Sequence, residues 1–164
     1  MLARGRRAGA QIFLATPGAN LRDCAPFAPV HSARFDSAQS ARFDALLADA
    51  RQARTNGQNG PALKLMAEAA QLDPAHAGLL YQRAAVAEQI PEKQASARQE
   101  YRAAADADAL RFRPDAALLQ VIRDVGRAAG DGVGFVDVEQ QLSLVGSAGV
   151  PGGGIVLGAC APEL

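Results

Sequence analysis

The stretch PALKLMAEAAQLDP, residues 61–74, decides the fold of this chain. Its apolar residues recur at helical spacing, and the pattern predicts a helix from about Pro61 that ends at the LDP of residues 72–74. The same residue types return 35 positions later, where Ala62, Met66, Ala69 and Asp73 are matched by Ala97, Tyr101, Ala104 and Asp108. Small residues at this spacing let helices approach closely, so the sequence predicts stacked helical hairpins.

Two units follow this pattern, at residues 43–76 and 77–110. The first begins in a helix that runs from Ser37 to about Arg54, where NGQNG interrupts it. A helix pair that repeats at about 34 residues is typical of tetratricopeptide repeats, and both units resemble them. A generic alanine-rich hairpin would place alanines at the same spacing, and it remains the alternative. Two units are fewer than a free-standing repeat array needs, so other segments are expected to cap them.

The flanking segments carry a different pattern. AQIFLAT (10–16) predicts a buried strand, and residues 17–37 predict a flexible, proline-rich loop. After the second unit, Pro114 and Asp115 open a further helix, and GVGFVDVEQQL (132–142) follows as a strand. The predicted fold is therefore mainly α, with two helical hairpins and one more helix between two short strands.

Three stretches resemble one family. ANLRDCAPF (19–27), DALRFRPDAALLQVIRDV (108–125) and GVGFVDVEQQL (132–142) are similar to parts of bacterial proteins in which tetratricopeptide repeats interrupt an SGNH (GDSL-type) hydrolase-like domain. The resemblance implies that the two strands belong to one parallel sheet, left incomplete in a truncated chain. Such hydrolases use a serine from a GDS motif and a late histidine. Here no GDS motif occurs and no histidine follows the second strand, so we expect no catalytic residues.

These patterns divide the chain into four parts: a strand and loop (1–36), two repeats (37–110), a helix–strand remnant (111–142) and a tail (143–164). The tail is predicted to be either disordered or frameshifted. With suitable third bases, a shifted frame turns its last residues into ELFWEHVHLN, which resembles the ending of the family. The alternative, a disordered tail, needs no frameshift and stays open.

Composition narrows the classes of function. Seventeen basic residues balance seventeen acidic ones, and a formal net charge of zero argues against a nucleic-acid partner. No apolar run is long enough to span a membrane, and QIFLA is too short for a secretion signal, so a cytoplasmic location is expected by default. Cys24, Cys160, His31 and His76 are each isolated in sequence, which predicts no disulfide framework, metal site or cofactor. Both histidines are expected at the surface.

The most plausible functional surface is the face formed by the first helix of each unit, where repeat proteins hold a protein or peptide. The repeat register places seven residues there: Asp44, Leu47, Arg51, Arg54, Tyr81, Gln82 and Gln89. Arg51 and Arg54 are suited to hold a carboxylate by charge-assisted hydrogen bonds. Two solvated arginines on a helix surface are the simpler alternative. The runner-up function is a hydrolase fragment that is active only at full length.

Overall fold

The computed structural model describes residues 2–32, 34–146 and 149–152. They form seven α-helices, two short strands and one 3-10 turn. In chain order these elements are α1 (Leu2–Arg7), β1 (Ile12–Ala15), α2 (Ser37–Thr55), α3 (Asn59–Leu72), α4 (Ala77–Ala87), the 3-10 turn (Pro91–Lys93), α5 (Gln94–Asp106), α6 (Ala116–Ala128), β2 (Val133–Val136) and α7 (Val138–Val145). The prediction of a mainly helical chain with two short strands is confirmed.

Helices α2 to α5 form two stacked hairpins. Each packs against the next along the chain, and α2 also contacts α4, so the first helices of the two units are neighbours. Phe43 and Met66 are fully buried at the centre of the first hairpin, and Ala50 and Ala62 let α2 and α3 approach closely around them. Helix α2 begins at a capping box, because the Asp36 carboxylate accepts from the Gln39 N–H and the Gln39 side chain accepts from the Asp36 N–H.

The two strands pair in parallel, as expected, with Ile12 opposite Val133 and Ala15 opposite Val136. Helix α6 packs against both strands. Its buried Gly126 lies directly against the ring of Phe135, where a Cβ would collide with the ring, so only glycine fits there. The connection between the strands contains both helical hairpins.

The C-terminal strand is shorter than predicted. It ends at Val136, and the carboxylate of Asp137 accepts from the Gln140 N–H and so caps the start of α7. The prediction that GVGFVDVEQQL is a strand to residue 142 is therefore wrong in its second half. Helix α1 at the basic N-terminal segment was also missed by the sequence analysis.

The first part of the predicted tail is folded. Helix α7 continues to Val145, Val150 is fully buried, and the Pro151 carbonyl accepts from the backbone N–H groups of Leu21 and Arg22 at 3.1 and 3.3 Å. Residues 143–146 and 149–152, the first part of the segment predicted to be a disordered or frameshifted tail, are therefore packed onto the rest of the chain. Residues 153–164, which carry the shifted-frame hypothesis, lie outside the described residues.

The proline-rich loop is packed onto the hairpins, contrary to the prediction that it is flexible. Its anchors are two buried aspartates that occupy the same position in the two units. Asp108 accepts from the N–H groups of Phe27 and Ala28 at 2.7 and 2.9 Å. Asp73 accepts from the backbone N–H of Ser32 at 2.9 Å and from its hydroxyl. The loop therefore crosses the second unit first and then the first unit.

Across the described residues, no helix combines the length and the apolar character that crossing a bilayer requires.

Candidate binding face of the helical hairpins

Four of the seven sequence-predicted binding residues lie on the side where α2 and α4 are neighbours, namely Arg51, Arg54, Gln82 and Gln89. Arg51 of α2 reaches across to α4. With its side-chain oxygen turned toward Arg51, Gln82 accepts hydrogen bonds from Nε at 3.0 Å and Nη2 at 3.1 Å of that guanidinium. Gln82 itself is buried, with 7% of its surface exposed, whereas Arg51 is exposed. This pair fixes the orientation of the arginine without neutralising its charge.

A shallow pocket opens beside this pair. It has a volume of about 390 Å³ and lies where the turn after α2 meets the end of α4. Its lining includes Arg54 and Gln89, both predicted, together with Thr55, Asn59 and Ala85. No ion pair joins Arg51 or Arg54 to another residue in the part of the chain that the structure describes. Two guanidinium charges thus remain available beside a polar pocket.

Two of the predicted residues do not belong to this face. Leu47 is 4% exposed and packs in the core of the first hairpin, so its assignment as a partner-binding residue is wrong. It lies one position from Leu46, and the structure turns Leu47, not Leu46, fully into the core. Asp44 is exposed, but it lies at the far end of α2, close enough to His76 for its charge to act on that ring.

Tyr81 is covered by the loop before the repeats. Its hydroxyl donates to the backbone carbonyl of Arg22 at 2.6 Å, and its ring meets Tyr101 edge-on at 5.4 Å between centroids. Burial raises the pKa of the Tyr81 hydroxyl, which keeps it protonated as a donor. The second unit therefore presents Tyr81 to this chain's own loop and not to an external ligand.

Sequence reasoning missed the residues that hold this loop in place. Glu88, just after α4, accepts from Nε of Arg22 at 3.3 Å and from the hydroxyl of Tyr101 at 3.0 Å. Leu21 and Ala19 are buried against Ala84 and Ala105 of the second unit. The stretch ANLRDCAPF was recognised only for its resemblance, and nothing in its pattern indicated that it would occupy the repeat surface.

Both histidines lie in a polar and aromatic cluster, so the expectation of surface histidines is wrong for His76, which is 8% exposed. Its Nδ1 accepts from the Leu79 N–H at 3.3 Å and caps α4, and burial lowers its pKa. His31 Nδ1 lies 3.2 Å from Asp73. Burial alone would raise the pKa of Asp73, but hydrogen bonds from Ser32 and His31 outweigh burial and lower it.

This cluster is not arranged for nucleophilic catalysis. The Ser32 hydroxyl donates to the Asp73 carboxylate, whereas an activated serine donates to an imidazole that acts as its base. The contacts of Ser32 and His31 with Asp73 instead fix the loop to the first unit. Among the described residues, no group of three or more histidine, cysteine, aspartate or glutamate side chains is arranged to hold a metal ion. Cys24 is buried.

No protein-family model, curated protein or solved structure matches this chain. The likeness to tetratricopeptide repeats and to SGNH hydrolase-like proteins therefore stays a prediction from the sequence. The helical hairpins and the parallel strands stand on the structure alone.

Proposed function

We propose that this chain is a protein-interaction module that binds an acidic segment of a partner protein on the α2 side of its helical hairpins. The observation that carries the proposal is the pair of unneutralised arginines, Arg51 and Arg54, beside an open pocket of about 390 Å³. Arginine suits a carboxylate because its planar guanidinium donates two parallel hydrogen bonds.

The position of the loop limits where such a partner lies. Tyr81 and the neighbouring surface of the second unit are covered by Leu21 and Arg22. The loop meets the first unit at Asp73, but no residue of the loop lines the pocket at the turn after α2. We therefore place the partner along α2 and over the pocket that contains Arg54 and Gln89.

The test is a pull-down with the purified chain as bait, in which captured proteins are identified by mass spectrometry. The informative variant is Arg51→Ala combined with Arg54→Ala. Its matched control is Arg34→Ala combined with Arg42→Ala, which removes two exposed arginines located away from the pocket. We expect a partner to be captured by the wild type and the control and lost by the informative variant. An affinity loss of about tenfold or more corresponds to the removal of one charge-assisted hydrogen bond.

A partner that binds the wild type and the Arg51/Arg54 variant equally would contradict the assignment of this face. A labelled synthetic peptide made from the acidic part of a captured partner then provides a direct titration. Its affinity should fall with rising salt concentration, because an exposed guanidinium–carboxylate contact is screened by ions.

The alternative proposal is that the chain is part of an SGNH/GDSL-type serine hydrolase or acyl-esterase that acts only in a full-length protein. The parallel pairing of β1 and β2, with α6 packed against both strands, favours it, because this arrangement is typical of α/β domains. A fluorophosphonate probe for serine hydrolases tests for catalytic activity. Covalent labelling of the purified chain would count against a purely binding function and would show that activity does not need the full-length protein.

A further inference from the structure

A second cavity lies beside the second unit, between α5 and the pair α6 and α7. Its volume is about 760 Å³, within the usual range for sites that hold a small molecule. Its lining combines apolar residues with several charged and polar side chains. The latter include Arg98, Arg102 and Asp106 from α5, Arg123 from α6, and Glu139 and Ser143 from α7.

The two carboxylates of this cavity already have partners. Glu139 accepts from Arg102 with one oxygen and from Nη2 of Arg123, at 2.6 Å, with the other. Asp106 accepts from the backbone N–H of Ala116 at 2.9 Å. Arg123 is further engaged by Asp137, which accepts from its Nε at 2.7 Å. These contacts hold the walls of the cavity together. Glu139 is paired with two arginines, whereas Asp106 accepts only a backbone N–H.

The arginines that α5 contributes to this cavity, in contrast, are not fully paired by the described residues. Nη1 of Arg102 is buried and has no hydrogen-bond partner within the described part of the chain. A buried donor without a partner costs stability unless something satisfies it. Arg98, one helical turn before Arg102, has no ion pair with any residue that the structure describes. The cavity therefore offers two guanidinium groups with unused hydrogen-bonding capacity.

We propose that this cavity is a binding site for a small anionic ligand that carries a carboxylate or phosphate group. Arg98 supplies a guanidinium at the open side. Arg102 also lines the cavity, and its buried Nη1 donates to the ligand after a small shift of the side chain. Residues four positions apart on a helix lie on the same face, so both groups reach one ligand. Glu139 holds the other terminal nitrogen of Arg102, Nη2. None of these residues belongs to the face proposed for a partner protein.

The test uses the full chain and two probes, inorganic phosphate and succinate, titrated by calorimetry and followed by NMR. Sodium chloride at matched ionic strength controls for general charge screening. We expect saturable binding of at least one probe and a weakening of tenfold or more in Arg98→Gln. Arg42→Gln, which removes an exposed arginine of α2, should bind like the wild type. Binding of phosphate alone identifies a phosphate-bearing ligand, and binding of succinate alone identifies a carboxylate.

Arg102→Lys provides the second variant, because lysine keeps the charge beside Glu139 but lacks the second guanidinium nitrogen. Its fold is checked by circular dichroism. Weakened binding in a folded Arg102→Lys chain supports the role of Nη1. The proposal is overturned if neither probe binds saturably, if Arg98→Gln binds as tightly as the wild type, or if chloride at equal ionic strength produces the same response.

Discussion

The two helical units share one pattern but use their outer faces differently. In the first unit, the core of Phe43 and Met66 lies between α2 and α3, and the α2 face beside the pocket stays open. In the second unit, Ala84 and Ala105 leave a shallow surface that Leu21 fills. The comparison teaches that small residues at helix crossings do two things. They let helices pack closely, and where no helix packs they admit a loop.

The two aspartates at equivalent positions of the repeats, Asp73 and Asp108, also differ in the hydrogen bonds that they accept. Asp108 of the second unit accepts three backbone N–H groups and pairs with Arg113, whose Nη2 lies 3.1 Å away. Asp73 of the first unit accepts from Ser32 and His31. Each aspartate ties the same loop to its own unit, and the second unit has the larger number of backbone contacts.

The largest expected effect comes from removing these carboxylates. Asp108→Ala leaves several buried N–H groups and a guanidinium without an acceptor, so we expect the free energy of unfolding to fall by about 3–5 kcal/mol. Asp73→Ala should lower the free energy of unfolding by less, about 2–3 kcal/mol, since it leaves fewer backbone N–H donors without an acceptor. Urea denaturation measures both losses.

Asp49→Ala is the matched control, because Asp49 is an exposed carboxylate on α2, and its removal should change stability by less than about 0.5 kcal/mol. Equal losses for Asp73→Ala and Asp108→Ala would mean that the loop is held equally strongly on the two units.

The dependence of stability on acid pH provides an independent check. Hydrogen bonding outweighs burial and lowers the pKa of both carboxyls, so their contribution is present above about pH 4 and is lost as the pH falls through the folded-state pKa.

An intermediate effect is expected from Tyr81→Phe, which keeps the ring but removes the donor to the Arg22 carbonyl. The loss should be about 1 kcal/mol, the usual net value of one hydrogen bond. Hydrogen exchange by mass spectrometry should show faster exchange for the N–H groups of Leu21 and Arg22. Arg51→Ala, which alters the open face only, should leave that exchange unchanged. Unchanged exchange in Tyr81→Phe would mean that this bond does not hold the loop.

The smallest effect concerns His76, the N-cap residue between the two units. Its folded-state pKa lies below the unfolded value near 6.5, so the folded chain binds fewer protons and stability falls as the pH drops through 6.5. Protonation also removes the acceptor for the Leu79 N–H. Asn caps a helix without titrating, so His76→Asn should flatten the pH dependence of the unfolding free energy between pH 7 and 5, by up to about 1 kcal/mol. Parallel curves for variant and wild type would rule out this role.

The hairpins were predictable because their signal is local. Alanines and large apolar residues recur with the helix period, and a helix breaker such as NGQNG ends α2 near where the structure ends it. The pairing of the strands was also predicted, from their shared resemblance to a parallel sheet. Helix α7 was missed because VDVEQQL alternates like a strand, and only the capping role of Asp137 shows that a helix begins there.

The candidate sites were predictable in part. Arg51, Arg54 and Gln89 lie where the repeat register placed them, since the register fixes which side of α2 and α4 each residue occupies. The covering of Tyr81 was not predictable, because it depends on a loop about 60 residues away in sequence. The same is true of the cavity beside Arg102, whose walls come from three helices that the sequence does not bring together locally.

The parallel pairing of the strands sets the order in which this chain can assemble. Thr16 and Asp137, which are hydrogen-bonded beside the sheet, are 121 positions apart, whereas the hairpins are closed by contacts between successive helices. Bringing distant segments together costs chain entropy before any contact repays it, so short-range structure forms first. We therefore expect the hairpins to collapse early, and the sheet to close last around a helical centre that is already formed.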